Sequence, residues 1–285
     1  MKKLLTDYQN GNYHVLLFED GTKVRMTNAE KFIPEFAENI DLKITNFCDA
    51  GCGYCHERST TNGYHGDLWS LPAFSSGQEV AIGGGNPLDH PYLEQFLLEL
   101  KGQKVYPNLT VNQVHFEIPY YQDMLQRFVD KGLVYGIGVS LMRASAELVE
   151  MINRFPNVVV HTINRIHTPE KLSPLYDNGI KILVLGYKNW GRGKEYTPRG
   201  SDLGDFIPEL RSRFKIVSFD NLAIEQMNPK RFLSESEWET FFMGEDGNYT
   251  FYIDAVEQVY AMNSTSPNRF PIGQKTVMEM FDSLH

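Results

Sequence analysis

The sequence predicts an α/β protein built on a parallel β-sheet. Short apolar segments alternate with amphipathic segments of helical period along the middle of the chain, and repeated strand–helix pairs form parallel sheets. The composition agrees with this class, because 42% hydrophobic and 22% charged residues among 285 are enough for a sizeable hydrophobic core. A chain of this length fits one large domain with small additions.

The first elements precede the repeating region. Residues 13–26 predict a β-hairpin, because two β-rich runs flank Glu19, Asp20 and Gly21, and Asp-Gly is a strong turn signal. The segment Asp41–Thr45 predicts a strand that leads directly into a cluster of cysteines.

The repeating region then supplies further strands and helices. The predicted strands are Glu79–Gly84, Val114–Ile118, Tyr135–Leu141, Val158–Ile163 and Lys181–Gly186. The predicted helices are Pro91–Lys101, Tyr121–Lys131, Ala144–Arg154, Pro169–Asn178 and Leu203–Arg211. With the strand at Asp41, six parallel strands fit either a doubly wound sheet or a full or partial β/α barrel, and the pattern does not separate these folds.

The pattern changes after about residue 215. Ser234–Glu237 has the residues of a helix capping box, and Tyr249–Val256 predicts a strand that could close the open side of a barrel. We therefore expect a single domain in which an N-terminal hairpin (1–37) and a C-terminal α+β cap (216–285) flank a β/α core (38–215).

The charge of the chain bounds its partners. Lys and Arg number 27 and Asp and Glu number 36, which gives a net charge of −9 and argues against extended nucleic-acid binding or attachment to anionic membranes. No apolar run approaches the roughly 18 residues of a membrane span. The N-terminus lacks the apolar core of a secretory signal, so a cytoplasmic location is expected.

All three cysteines lie within eight residues, as Cys48, Cys52 and Cys55. An odd, tightly clustered set argues against a disulfide framework and favours thiolates that converge on one metal centre. An iron–sulfur cube normally takes four thiolates, so three cysteines leave one iron open to a further ligand. Gly51 and Gly53 between the cysteines would permit the tight turns of a loop that wraps such a cube.

The spacing C-x3-C-x2-C after a first strand, with the aromatic Tyr54 before the last cysteine, resembles the signature of the radical S-adenosylmethionine superfamily. The resemblance implies a [4Fe–4S] cluster on Cys48, Cys52 and Cys55, with S-adenosylmethionine on the open iron. It also implies an external one-electron donor, reductive cleavage of S-adenosylmethionine, and a 5′-deoxyadenosyl radical that abstracts hydrogen from a substrate.

Later segments are similar to other parts of the same family. Gly83, Gly84, Gly85 and Asn86 resemble the Gly-Gly-Glu-Pro segment that meets the methionine amino group, with Asn where Glu is usual. By order along the chain the resemblance also assigns cofactor contacts to Ser140, Asn164 and Leu185. The fold implied is a partial (β/α)6 TIM-like barrel.

Candidates for contact with the substrate follow the ends of the predicted strands, where β/α folds place their sites. They are Glu117, Arg143, His161, Lys188 and Arg192. Glu117 stands out because the sequence places its carboxylate inside an apolar strand, and the glycine-rich basic loop with Lys188 and Arg192 could bind a phosphate or carboxylate. The compact chain favours a small or medium substrate, such as a nucleotide, a modified base or a metabolite, with a peptide or tRNA as the alternative.

The same residues permit other interpretations. The cysteines could form a structural zinc site with His56 or His65, or a cluster that binds the cofactor without cleaving it. The three glycines could be a plain strand-end turn, Ser140 a helix cap, Asn164 a loop amide, and His161 a satisfied core histidine.

Overall fold

The protein is described from a computed structural model that covers residues 2–285, and Met1 lies outside the described residues. The chain begins with an antiparallel sheet of order β1-β2-β3, formed by Leu4–Asn10, Tyr13–Phe18 and Lys23–Met26. The predicted hairpin is β2 and β3, and its turn includes Gly21 at φ +84°, a left-handed conformation that suits glycine. Strand β1 was not predicted.

The remaining strands form one large sheet. Its strands are β4 (Asn39–Thr45), β5 (Glu79–Gly84), β6 (Tyr106–Asn112), β7 (Gly136–Ser140), β8 (Val158–Ile163), β9 (Lys181–Leu185), β10 (Ile216–Phe219), β11 (Thr250–Asp254), β12 (Val259–Ala261) and β13 (Phe270–Pro271). Their order is β10-β9-β8-β7-β6-β5-β4-β11-β12-β13, and every neighbouring pair from β10 to β11 is parallel.

The strand order separates the two folds that the sequence left open. From β4 to β10 each strand lies beside the next one in the chain, without the reversal of order that defines a doubly wound sheet. The sheet is also curved. Asp41 of β4 and Phe219 of β10 are six strands apart in the sheet order, and yet both line one cavity. The structure thus confirms the α/β class and the large, mostly parallel sheet. The partial six-stranded barrel and the division into three parts stay predictions.

Helices cover the outer face of this sheet. They are α1 (Leu93–Gly102), α2 (Gln113–Phe116), α3 (Pro119–Asp130), α4 (Ala146–Ile152), α5 (Pro169–Leu172), α6 (Ile207–Arg213), α7 (Asn221–Met227), α8 (Glu235–Phe241) and α9 (Val277–Asp282). The buried residues of α1 recur at helical spacing and belong to the same hydrophobic core as the buried residues of the strands. They are Leu93, Phe96, Leu97 and Leu100.

The region between β5 and β7 corrects one prediction. The expected strand Val114–Ile118 is wrong: the strand is β6, and the short helix α2 follows it. In β6 the buried residues Pro107, Leu109 and Val111 alternate with more exposed polar ones, so the segment lacks the continuous apolar run typical of parallel strands. Proline also lowers the strand signal.

The C-terminal region agrees with its predicted elements. Helix α8 begins after Ser234, whose side chain and Glu237 form the predicted capping box. Strand β11 lies within the predicted Tyr249–Val256 and pairs in parallel with β4, on the side of β4 opposite β5. Among residues 2–285 there is no helix that combines the length and apolarity required to cross a membrane.

Candidate functional site

The three cysteines lie on a loop at the carboxyl end of β4, where the carboxyl ends of β5 to β9 also meet. We call residues 46–60 the cysteine loop. Its base is closed by backbone hydrogen bonds, since Cys48 N–H donates to the Thr60 carbonyl over 3.0 Å and Thr60 N–H donates to the Asn46 carbonyl over 3.0 Å. The cysteines are free thiols and half-buried, so their sulfurs are available to a metal centre.

The glycines after β5 pack against the start of this loop. Gly85 N–H donates to the Thr45 carbonyl and Asn86 N–H to the Phe47 carbonyl, both over 2.7 Å. A Cβ atom on Gly85 would lie 2.1 Å from the Phe47 carbonyl oxygen, so glycine is required for this approach. The glycine run therefore supports the cysteine loop, beyond serving as a strand-end turn.

Arg192 holds the cysteine loop from the opposite side. Its Nε donates to the Cys52 carbonyl, its Nη1 to the Ser59 carbonyl and its backbone N–H to the Cys55 carbonyl, each over 3.0 Å. The neighbouring Gly191 packs so closely on the loop that a Cβ would lie 2.2 Å from the His56 carbonyl oxygen. The guanidinium predicted to bind substrate thus fixes the backbone of the cysteine loop.

The corner between β6 and α2 contacts the loop through two side chains. Asn112 Nδ2 donates to Cys52 Sγ over 3.4 Å. His115 Nε2 lies 2.6 Å from Asp49 Oδ1, and this imidazole is only 2% exposed. Neither residue was a candidate from the sequence, because His115 was placed in the strand Val114–Ile118 and Asn112 lay just before that strand.

A buried group of charges holds the far end of the cysteine loop. Lys43 Nζ lies 2.9 Å from both Glu57 Oε2 and Asp254 Oδ2, and we call these three residues the loop cluster. Their side chains are 7%, 12% and 2% exposed. The sequence held one signal of this cluster, which is Lys43 between the apolar residues Leu42 and Ile44 of β4. The signal does not identify the partners of Lys43, because Asp254 lies far away in the chain.

Among the described residues, the donor atoms do not form the cysteine–histidine zinc site that the sequence left open. Burial raises the pKa of the Cys48 and Cys52 thiols, so metal binding there must release protons. Tetrahedral zinc with Zn–S bonds of about 2.3 Å places its sulfurs about 3.7 Å apart. Within residues 2–285, however, only Cys48, Asp49 and His115 bring three donor atoms within 4.8 Å, and neither His56 nor His65 joins the cysteines.

The other predicted cofactor residues are distributed as follows. Asn86 is fully buried; its amide caps the short turn after β5 and donates to Asp89 Oδ2 over 2.8 Å. Asn164 is also fully buried, and its Oδ1 accepts the Leu203 N–H over 2.9 Å. Tyr54 packs edge-on against Tyr196, while Ser140 and Leu185 are half-buried at the ends of β7 and β9.

The candidates for substrate contact do not form one group. Glu117 is exposed beyond α2 and accepts a hydrogen bond from Gln113 over 2.6 Å, so its placement in a buried strand was wrong. Arg143 is exposed. His161 is half-buried in β8, where desolvation lowers its pKa to about 4 and keeps the imidazole neutral. Lys188 Nζ donates to Ser264 Oγ over 2.8 Å and lies 3.4 Å from His56 Nε2.

A cavity of about 230 Å³ lies between β10 and the amino-terminal halves of β4 and β11. Asp41, Asp220 and Asp246 line it, together with the apolar side chains of Phe219 and Met243. Lys23, Arg25 and Glu38 also line this cavity, and no residue of the cysteine loop does, so it lies toward the amino end of β4 and away from the cysteines.

Comparison with known proteins identifies the fold. No protein-family model matches the chain, and no curated protein matches it in sequence. Among solved structures, SuiB of Streptococcus suis bound to the precursor peptide SuiA superposes with a TM-score of 0.65 at 10% identity, covering 100% of this chain and 89% of that one. SuiB bound to S-adenosylmethionine gives 0.59 at 14% identity over 87% and 66% of the two chains, and a third SuiB structure gives 0.60 at 10% over 96% and 86%.

This likeness extends over the whole chain. It supports, at the level of the fold, the resemblance that the cysteine spacing indicated.

Proposed function

We propose that this protein is a radical S-adenosylmethionine enzyme that carries a [4Fe–4S] cluster on Cys48, Cys52 and Cys55 and acts on a peptide. One observation carries the proposal: three free, half-buried cysteines share a braced loop at the carboxyl end of β4, in a chain with the fold of a protein solved with S-adenosylmethionine. When bound, the cluster would supply the electron that cleaves S-adenosylmethionine and releases a 5′-deoxyadenosyl radical.

The surroundings of the loop fit this assignment. Arg192 and the loop cluster fix the loop at its middle and its far end, which would hold the three sulfurs ready for a metal centre. Gly83 and Gly84 end β5 beside the loop without side chains, so a bound ligand could approach their backbone closely. Cofactor contacts of Tyr54, Gly83, Gly84, Gly85, Asn86, Ser140, Asn164 and Leu185 remain predictions.

The peptide assignment replaces the preference for a small or medium substrate. It is supported by SuiB, whose structure with its precursor peptide superposes over the whole of this chain.

Anaerobic reconstitution tests the cofactor chemistry. The protein prepared with iron and sulfide should hold about four of each per chain and convert S-adenosylmethionine to 5′-deoxyadenosine when dithionite is added. Cys52→Ser should lose both properties, whereas Ala50→Ser, a matched change in the same loop, should keep them. Iron-free wild-type protein, or a Cys52→Ser variant with full turnover, would show the assignment to be wrong.

The substrate class needs a second measurement. Pools of synthetic random-sequence peptides and of nucleosides and nucleotides are added separately to the loaded protein, and the rate of 5′-deoxyadenosine formation is compared with the rate without substrate. Stimulation by the peptide pool, with a peptide of altered mass in the products, supports the proposal. Stimulation by the nucleoside and nucleotide pool alone would restore the small-molecule alternative.

A further inference from the structure

The amide of Asn112 is aimed at a cysteine sulfur. Its Nδ2 lies 3.4 Å from Cys52 Sγ and 3.6 Å from Met142 Sδ, and its Oδ1 accepts the Val114 N–H over 3.0 Å as the cap of α2. Because the Val114 N–H requires an oxygen, the amide oxygen is fixed toward α2 and the amide nitrogen must face the sulfur. The donor direction therefore follows from the local fold.

Both partners of this contact are held in place. The α2 corner is tied to the cysteine loop a second time by the 2.6 Å contact between His115 and Asp49. Gln113 joins the same corner to the segment after β7, since its Oε1 accepts the Met142 and Arg143 N–H groups over 2.7 and 2.8 Å. Arg192 fixes the Cys52 carbonyl from the other side. Because both groups are already fixed, the hydrogen bond forms without a further loss of side-chain conformational entropy.

The contact has a distinct electrostatic consequence. Across residues 2–285, this is the single hydrogen bond from a side chain to a cysteine sulfur. A ligating cysteine is a thiolate, and an N–H donor stabilises the negative charge on its sulfur. One-electron reduction of an attached cluster increases that charge, so the donor stabilises the reduced state more than the oxidised state.

We propose that Asn112 is a positioning residue that raises the reduction potential of the cluster through its hydrogen bond to Cys52. The proposal rests on the proposed function, because it requires a cluster on the three cysteines. Under this proposal, the corner between β6 and α2 helps to set the reduction potential at which the cluster accepts an electron from the external donor.

The experiment separates the donor from the helix cap, which Asn112 supplies with the same side chain. Asn112→Ser keeps a capping hydroxyl but is too short to reach Cys52, whereas Asn112→Ala loses both functions. Asn108→Ser is the matched control, because it makes the same change four residues earlier in β6. The loaded proteins are titrated with titanium(III) citrate, which donates one electron per cluster, and the reduced cluster is followed by electron paramagnetic resonance.

We expect Asn112→Ser and Asn112→Ala to lower the equilibrium constant for reduction roughly tenfold, equivalent to about 59 mV for a one-electron couple, with Asn108→Ser unchanged. Thermal unfolding should distinguish Ala from Ser, since only Ala removes the cap. A wild-type potential in Asn112→Ser would overturn the proposal, and so would a folded Asn112→Ser that binds no cluster. If the wild-type protein itself holds no iron, the proposed function fails as well; if it holds a cluster whose potential is unmoved, only this inference fails.

Discussion

Two buried groups of charges lie at opposite ends of β4 and hold different parts of the molecule. At the amino end, Glu38 lies 3.0 Å from Lys23 Nζ and 2.7 Å from Arg25 Nε, and Lys23 also lies 2.8 Å from Glu79; we call these four residues the amino-end cluster. At the carboxyl end, the loop cluster joins Lys43 to Glu57 and Asp254.

The two clusters are alike in chemistry and burial but unlike in what they connect. The amino-end cluster joins β3 of the small sheet to the start of β4, so it fixes one sheet on another. The loop cluster joins β4 and β11 to a residue that follows Cys55 by two positions. The same kind of interaction therefore fixes one sheet on another at the amino end of β4 and holds the cysteine loop at its carboxyl end.

The largest effect that would test this comparison is expected from Lys43→Met. Methionine has a similar volume but leaves Glu57 and Asp254 buried without their shared cation, which should cost about 3–5 kcal/mol of unfolding free energy. Because Glu57 is released, iron bound per folded chain should also fall at least severalfold. Urea denaturation and iron analysis of the folded fraction isolated by gel filtration measure the two effects.

Glu38→Gln is the matched change in the amino-end cluster and should be milder. Glutamine still accepts the Tyr13 hydroxyl hydrogen bond but loses its charge toward Arg25 and Lys23, a cost of about 2 kcal/mol. Iron per folded chain should remain at the wild-type level. If both variants lose iron in proportion to their lost stability, the distinction between the clusters is wrong.

The pH dependence sharpens the same distinction. Burial opposes ionisation of Glu38, but Lys23 and Arg25 outweigh it and hold the pKa of this carboxyl below its usual value. Its stabilising charge is therefore fully present above the unfolded pKa of about 4.3 and is lost as the pH falls through the folded pKa. The difference in unfolding free energy between wild type and Glu38→Gln should shrink as pH falls below about 4.3, and a constant difference in urea melts down to pH 3 would contradict this.

The smallest effect is expected from Arg192→Lys. A lysine ammonium cannot span the Cys52 and Ser59 carbonyls as the guanidinium fork does, so about 1–2 kcal/mol of loop stabilisation should be lost. Release of iron to a chelator should become about tenfold faster. Lys194→Gln, an exposed change in the same segment, should release iron at the wild-type rate; equal rates in all three proteins would remove the bracing role of Arg192.

Local signals in the sequence determined much of the frame. The bounds of β5 and β8 agree with the predicted segments, because β-branched residues and strand-end breakers mark them directly. The helix start at Ser234 agrees as well, since a capping box lies within four residues. The three cysteines share one loop for the same reason: eight consecutive residues contain their whole pattern.

The tertiary structure alone decided how that loop is held. Asn112 reaches Cys52 across 60 positions, Arg192 reaches it across 140, and Lys43 meets Asp254 across 211. No local periodicity encodes such pairs, because they arise only when the curved sheet brings the ends of distant strands to one edge. Strand β6 shows the same limit: its polar residues resemble a loop until the fold places them on the less buried face of the sheet.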